Sequence, residues 1–333
     1  RRAMQAATPI LDSRYAWTRL GISLLISLVG NVGMWAIIVV MPAMQAEFGV
    51  DRADASLPYT FTMLGFALGN FIVGRVVDRF GITAALIMAA MLTAAGMGGS
   101  ALSPSVAVLA LAQFIVGLGT AASFGPLIAD VSLWFLRRRG IAVAIAASGN
   151  YLSGAFWPLL LAGVLAEEGW RAVYLVLGAV TLAAVIPLAL LLRRRVPMEA
   201  RLTSDAASSL RANAAGFRPA TLAWLLGLAG VGCCVAMSMP QVHIVAFCVD
   251  LGYGPAVGGQ MLALMLLGGV VSRLVSGLVA DWLGGVKTLL IGSTLQCAAL
   301  FLYLPFDGLV SLYIVSAIFG LAQGGIVPSY ALV

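Results

Sequence analysis

Charged side chains are scarce in this chain. Asp, Glu, Lys and Arg together make up 10% of its 333 residues, whereas soluble domains average about 25%. Hydrophobic residues make up 62%. A water-soluble fold of this length has too little interior to hide so much apolar surface, so a soluble globular protein is excluded. The composition predicts an integral membrane protein.

The residue types that build catalytic and metal sites are also rare. There is one histidine, His243, one lysine, Lys287, and four cysteines, of which Cys233 and Cys234 are adjacent. No cysteine spacing matches a zinc or redox motif. There is no G-x-x-x-x-G-K-S/T loop, which excludes an ATP-driven pump within this chain. We therefore predict no enzymatic activity, no metal, no cofactor, and no nucleotide or nucleic acid as a partner.

Long apolar runs dominate what is present. Ten are long enough to cross a hydrocarbon core of about 30 Å. The longest polar segment, 193–220, is interpreted as a cytoplasmic linker between a six-helix bundle, 1–192, and an incomplete four-helix bundle, 221–333. The predicted spans are 20–41, 57–77, 82–102, 106–128, 141–165, 172–192, 221–244, 256–279, 287–306 and 310–332.

The basic residues predict the orientation of these spans. If the amino terminus is cytoplasmic, the inner segments hold sixteen Lys and Arg and the outer loops hold Arg52 and Arg171. The positive-inside rule favours this arrangement. We therefore expect a cytoplasmic amino terminus, and we interpret the membrane as a bacterial inner (plasma) membrane.

A segment of the chain is repeated. The stretch GRVVDRFG, from Gly74 to Gly81, recurs 203 residues later as GLVADWLG, from Gly277 to Gly284. A constant offset over several spans indicates an internal duplication, which is typical of secondary transporters. Only the first four spans have repeat partners, so two of twelve expected spans are missing, either by truncation or because the protein naturally has ten. The same offset pairs Gly49 with Gly252, Gly65 with Gly268, Gly117 with Gly320, and Asp78 with Asp281.

The repeated stretch resembles the signature G-x-x-x-D-R/K-x-G-R/K-R/K of the major facilitator superfamily. The resemblance implies an all-α fold of two pseudo-symmetric helix bundles that works by alternating access. It also implies that these motif residues form a conformational switch that locks the bundles together. Gly74, Asp78, Arg79 and Gly81 match in the first copy, and Gly277, Asp281 and Gly284 match in the second.

Within this switch, general electrostatics suggests a role for the carboxylate of Asp78. A carboxylate at a helix end can pair with an arginine or face the amino terminus of another helix. Asp130 and the run Arg137–Arg139 are predicted on the same membrane side and are its expected neighbours. The alternative is that these charges only set the topology.

A narrower resemblance concerns QVHIVAFCVDLG and SRLVSGLVADWLG. Both are similar to segments of the monocarboxylate and oxalate–formate exchanger branches. That resemblance implies that Arg273, four residues before Gly277, pairs with a substrate carboxylate. The superfamily usually carries an arginine where this chain has Gln113, which weakens the case for proton coupling at that position.

Arg273 is the one charge that we place inside a span. A central arginine costs about 2.5–3.5 kcal/mol on insertion scales and needs a partner or a water-filled cavity. Gly269 and Gly277 share its helix face and leave room either for a ligand or for a neighbouring helix. The alternative is an arginine that snorkels to the inner interface.

Further polar residues in the predicted spans are candidate ligands of a substrate. Each has a structural alternative, namely an interhelical hydrogen bond or, for the histidine, contact with the membrane interface. All Asp and Glu lie in predicted loops or helix ends, which disfavours export of cationic drugs. The candidates are His243, Gln241, Asn31, Asn70, Asn150 and Tyr151.

These observations predict a secondary active transporter for a small organic anion, a mono- or dicarboxylate. Coupling to protons and exchange for a counter-anion both remain open. The alternatives are an efflux porter for drugs or amphiphiles, and a membrane sensor or scaffold derived from a transporter.

Overall fold

The computed structural model describes residues 11–196, 202 and 219–330, so most of the predicted linker 193–220 lies outside it. Within these residues the regular structure is α-helical, apart from one 3-10 turn at Ala121–Ser123. The prediction of an all-α membrane protein is confirmed. The helices are α1 Arg14–Gly30, α2 Val32–Phe48, α3 Arg52–Phe80, α4 Ile82–Ala101, α5 Val106–Thr120, α6 Gly125–Ser132, α7 Arg139–Glu167, α8 Gly169–Leu191, α9 Pro219–Asp250, α10 Pro255–Leu283, α11 Gly285–Phe301, α12 Leu309–Gln323 and α13 Ile326–Tyr330.

The number of spans differs from the prediction. Eight helical segments of the described chain are long and apolar enough to cross a membrane, rather than ten. Helix α11 has 17 residues, which at about 1.5 Å per residue is about 25 Å and shorter than a hydrocarbon core. Helix α7 has 29 residues, but Ser148, Asn150 and Ser153 interrupt its apolar run.

The described residues pack into two compact units. Unit A holds Gly21–Asp130 and Gly149–Arg195, and unit B holds the described residues of Arg1–Leu20, Val131–Ser148 and Val196–Val333. The core of unit A joins α1, α3, α4, α6 and α8 through small and branched apolar side chains. Its fully buried members include Ile26, Val73, Leu86, Leu127 and Val185.

In unit A, α3 crosses α5 at a pair of glycines. A methyl group on Gly65 would clash with the carbonyl oxygen of Phe114, and one on Gly117 would clash with the carbonyl oxygen of Thr62. Small residues of this kind let two helix backbones approach closely in a membrane protein. The two glycines therefore fix where α3 and α5 touch.

Unit B repeats this crossing between α10 and α12. A methyl group on Gly268 would lie 3.3 Å from the carbonyl oxygen of Ala317, and one on Gly320 would clash with the carbonyl oxygen of Met265. Each of these residues lies 203 positions after its counterpart in unit A. The repeat found in the sequence is thus also a repeat of specific helix contacts.

The last glycine of each motif copy ends a helix in a backbone conformation that suits glycine. Gly81 follows α3 with φ 88°, and Gly284 follows α10 with φ 84°. A side chain would be strained at these angles. The requirement for glycine at these two motif positions is therefore local and conformational.

Candidate functional site

Arg273 is enclosed in unit B, not at its surface. Its side chain is 1% exposed. The guanidinium donates through Nε to the carbonyl oxygen of Gly324 at 3.1 Å, and through Nη1 to the carbonyl oxygen of Ala147. The arginine thus links α10 to α7 and to the end of α12. The snorkelling alternative does not describe this geometry.

The two glycines beside Arg273 receive neighbouring helices. A methyl group on Gly277 would meet Ala144 and the carbonyl oxygen of Gly140. On the other side, Gly324 packs against the backbone of Gly269. Of the two possibilities left open by the sequence, a ligand space or a close helix approach, this structure adopts the helix approach.

His243 and Gln241 lie on α9 and differ in environment. Gln241 is buried, whereas the side chain of His243 is exposed. The sequence grouped these two residues with Arg273 as anion ligands. The structure places the histidine outside the buried polar groups of unit B.

In unit A, Asn31 breaks the first predicted span into α1 and α2. It is fully buried, and its Nδ2 donates to the carbonyl oxygen of Ser27 at 2.8 Å and to that of Ser123 at 3.0 Å. Its Oδ1 accepts no hydrogen bond from the described residues. A buried amide oxygen without a donor is costly, so this atom is a position where a bound polar group would be stabilised.

One helical turn further along, Trp35 joins α2 to α7. Its indole N–H donates to the backbone oxygen and to Oδ1 of Asn150, both at 2.9 Å. Tyr151 packs edge-on against the same ring at 6.3 Å. The structure therefore brings Asn150 and Tyr151 together with the helix that carries Asn31, as a polar stripe inside unit A.

Asn70 and Gln113 have structural partners. Asn70 donates to the carbonyl oxygen of Phe66 in its own helix at 2.8 Å. Gln113 accepts from Thr62 at 3.0 Å and donates to Ser100 at 3.0 Å, so it joins α5 to α3 and α4. The residue that replaces the expected arginine is therefore a neutral, buried hydrogen-bonding link.

The two carboxylates of the repeated motif have different surroundings. Asp281 accepts from the backbone N–H of Gly140 at 3.0 Å and of Ile141 at 3.4 Å, at the amino terminus of α7. Both carboxylates are exposed. Facing a helix amino terminus is one of the two roles that the sequence offered for Asp78, and in this structure its repeat partner has that role.

The other residues of the first motif copy have few close neighbours. A methyl group on Gly74 would meet open space, and Gly81 lies near the guanidinium of Arg195. Arg79 is exposed and lies over the ring of Phe80 at 5.3 Å. The first copy therefore offers an accessible charged surface, whereas Gly277 and Asp281 of the second copy are in contact with α7.

Sequence reasoning missed a second buried arginine. Arg19 is 2% exposed and lies over the ring of Trp134 at 4.8 Å. In the sequence it lies at the border between a polar amino-terminal stretch and the first apolar run. Its partner lies more than a hundred residues away, so no local signal could have found this contact.

The buried charges of the described residues are therefore both positive. Arg19 and Arg273 are the charged side chains buried in that part of the chain, and no Asp or Glu there is buried with them. No group of His, Cys, Asp and Glu among the described residues could hold a metal ion.

The family model of the Major Facilitator Superfamily matches residues 23–333 of this chain. The chain belongs to this superfamily, which is a family of membrane transporters and not of enzymes. The helical fold agrees: a structure of a double-tryptophan variant of XylE superposes with a TM-score of 0.70 at 15% identity, covering 95% of this chain and 81% of that one. At this identity the similarity concerns the fold alone.

Two curated relatives add detail. The MFS-type transporter pynF of Aspergillus niger is 27% identical over 266 residues, covering 78% of this chain and 59% of the relative. Monocarboxylate transporter 13 of Bos taurus is 29% identical over 274 residues, covering 80% of this chain and 62% of the relative. The chain thus spans about three fifths of the length of these relatives.

Proposed function

We propose that this chain forms a secondary transporter that moves a small organic anion, a mono- or dicarboxylate, by alternating access. The observation that carries the proposal is Arg273, a fully buried guanidinium in an apolar helix. A planar fork of donors matches the two oxygens of a carboxylate. The similarity to a monocarboxylate transporter supports the same substrate class.

The present partners of Arg273 indicate how a substrate would bind. Its guanidinium donates to backbone carbonyls on α7 and at the end of α12. These helices would have to move from α10 before a carboxylate could take the place of the carbonyl oxygens. Binding is then coupled to the helix movement that alternating access requires.

The proposal also covers how transport is coupled and how the chain is oriented in the membrane. Gln113 offers no titratable group at the position where the superfamily usually carries arginine, which favours anion exchange over proton coupling at that site. The distribution of Lys and Arg supports a cytoplasmic amino terminus. A bacterial inner membrane remains a prediction, because the two relatives described come from a fungus and a mammal.

The two alternatives receive less support. Export of a cationic drug requires a buried carboxylate to hold the cation, and the described residues contain none. A transporter-derived sensor or scaffold would not need a guanidinium at its centre to bind and release an anion. Transport measurements distinguish both from the proposed function.

The test is uptake of labelled mono- and dicarboxylates into proteoliposomes by the protein and its variants. We expect Arg273→Ala to abolish uptake. Arg273→Lys should raise KM roughly tenfold or more, since a hydrogen bond to a charged group contributes about 1.5–3 kcal/mol and lysine cannot donate two in parallel.

Arg19→Lys is the matched control, because Arg19 is equally buried but lies over an aromatic ring. We expect it to transport normally at equal membrane abundance. If both Arg273 variants take up carboxylates like the parent protein, the anion site lies elsewhere. Transport of neutral amphiphiles in their place would favour the efflux alternative.

A further inference from the structure

The loop that leads into α7 is held by two carboxylates that lie far apart in the sequence, Asp12 and Asp281. Of the six consecutive residues 136–141, five donate a backbone N–H to a carboxylate. Asp12 accepts from Leu136 at 3.3 Å, from Arg137 at 3.1 Å and from Arg138 at 3.3 Å. Asp281 accepts from Gly140 at 3.0 Å and from Ile141 at 3.4 Å.

These N–H groups include the first ones of a helix, which have no partner inside the helix. The positive end of the helix dipole also favours a carboxylate there. Asp281 is one residue of the motif expected to act as a conformational switch. Asp12 belongs to no motif, and its contact is a property of the tertiary structure alone.

Asp12 is itself firmly placed. Its own N–H donates to the carbonyl oxygen of Trp134 at 3.0 Å. Its backbone has φ 55°, a region that Asp tolerates better than most residues. It lies near the start of a segment that we call the strap, Leu11–Leu20.

The strap packs on the same loop through aromatic side chains. Tyr15 lies 5.3 Å from Trp134, and Trp17 lies 5.1 Å from Phe135, ring centroid to ring centroid. The guanidinium of Arg19 also lies over the ring of Trp134, 4.8 Å from its centroid. The strap thus holds the start of the loop by packing and its middle by the carboxylate of Asp12.

We propose that Asp12 is the positioning residue of the Asp281 contact. A single residue, Arg139, separates the last N–H bound by Asp12 from the first N–H bound by Asp281. The peptide planes held by Asp12 therefore set the direction in which the N–H groups of Gly140 and Ile141 point. Without Asp12 the amino terminus of α7 turns away from Asp281.

The consequence for transport rests on the proposed function. If α7 and α10 separate during alternating access, Asp281 releases the helix amino terminus once in each cycle. Asp12 keeps the loop in shape while the contact is open, so that the contact forms again without reordering the chain. The two carboxylates then have separate roles, one switching and one positioning.

The test is hydrogen–deuterium exchange of the backbone amides of residues 134–141, measured on the purified protein without substrate. In Asp12→Asn we expect faster exchange at 136–138. We also expect an increase of about fivefold or more at Gly140 and Ile141, although Asp281 is intact. Because coupling is reciprocal, Asp281→Asn should speed exchange at 136–138 by the same factor.

Asp51→Asn is the matched control. Asp51 also caps a helix, by accepting from the N–H of Asp54 at 2.9 Å at the start of α3, and it should leave residues 134–141 unchanged. Faster exchange confined to 136–138 in Asp12→Asn would overturn the proposal. Faster exchange throughout α10 and α12 would overturn it too, and would assign Asp12 to general stability.

The outcome is independent of the substrate. Exchange reports on the loop in the resting protein, so a failure to transport carboxylates leaves the result standing. Conversely, normal exchange in Asp12→Asn would remove the positioning role without affecting the assignment of Arg273. The two proposals can therefore fail separately.

Discussion

At the scale of single residues, the polar contacts of the interior are more specific than the apolar composition suggests. Arg273 donates to two backbone carbonyls, Trp35 donates to Asn150, and Gln113 joins three helices. Such groups are stabilised in a membrane interior because each finds a partner inside the protein. The Oδ1 of Asn31 is one of several buried polar atoms of unit A without a hydrogen-bond partner among the described residues; the others are the hydroxyls of Ser23, Ser153, Tyr174 and Thr181.

Glu47 is the centre of another residue-scale cluster that the sequence did not reveal. It accepts from the indole N–H of Trp170 at 2.6 Å and pairs with Arg171. Arg171 also donates to the carbonyl oxygen of Ser103 at 3.0 Å. The cluster ties the end of α2 to the start of α8 and to the loop between α4 and α5.

We expect Glu47→Ala to lower the thermal stability of the purified protein. The half-exposed ion pair contributes little by itself, but the buried indole N–H loses its acceptor, which costs about 1–3 kcal/mol. Thermal unfolding in detergent measures the effect. Glu167→Ala, at an exposed glutamate that ends α7, is the control and should unfold like the parent protein.

At the scale of helices, the crossings depend on glycines that the repeat places in both halves. Gly65 and Gly117 fix the contact of α3 with α5, and Gly268 and Gly320 fix that of α10 with α12. The clearance is not equal in the two halves. A methyl group on Gly65 clashes with backbone, whereas one on Gly268 lies at 3.2 Å or more from its neighbours.

This difference predicts an order of stabilities. Gly65→Ala should be strongly destabilising, because a backbone carbonyl cannot move aside, and Gly268→Ala should cost less. Gly98→Ala should be neutral or stabilising by up to about 1 kcal/mol, since a methyl group there meets no atom within 4 Å and alanine is the better helix former. Thermal unfolding of the three variants gives the ranking, and equal losses for Gly65 and Gly98 would contradict the crossing.

At the scale of the whole molecule, the two motif copies are related by sequence but differ in their contacts. Both carboxylates are exposed, and Asp281 in addition accepts hydrogen bonds from the amino terminus of α7. A transporter that alternates between two states needs contacts that form in one state and break in the other. We therefore expect the two carboxylates to act in different steps of the cycle.

Both carboxylates can be tested by neutral, isosteric variants. We expect Asp78→Asn to reduce transport at near-normal membrane abundance, because the fold does not depend on this exposed side chain. Asp281→Asn should also reduce transport, and it should additionally speed amide exchange at Gly140 and Ile141, which Asp78→Asn should not change. Unchanged uptake kinetics in Asp78→Asn would leave that residue a topological role only.

The sequence by itself determined the class of fold, the places of most of the apolar helices and the family, although not the number of spans. Apolar runs, the distribution of basic residues and an offset of 203 residues are local or periodic properties, and they follow from the chemistry of a membrane interior. The repeated glycines are of the same kind, since close helix contact requires a small residue at a given position in each copy.

The tertiary structure alone decided which polar groups meet. The sequence could not show that Arg19 lies over Trp134, that Asp12 binds the loop before α7, or that Asp281 and not Asp78 contacts its amino terminus. Each partner lies more than a hundred residues away in the sequence, and the periodic pattern of apolar residues carries no information about contacts over such a separation. Arg273 required both sources: its type and span were readable in the sequence, but its enclosure by backbone carbonyls depends on how α7 and α12 pack on α10.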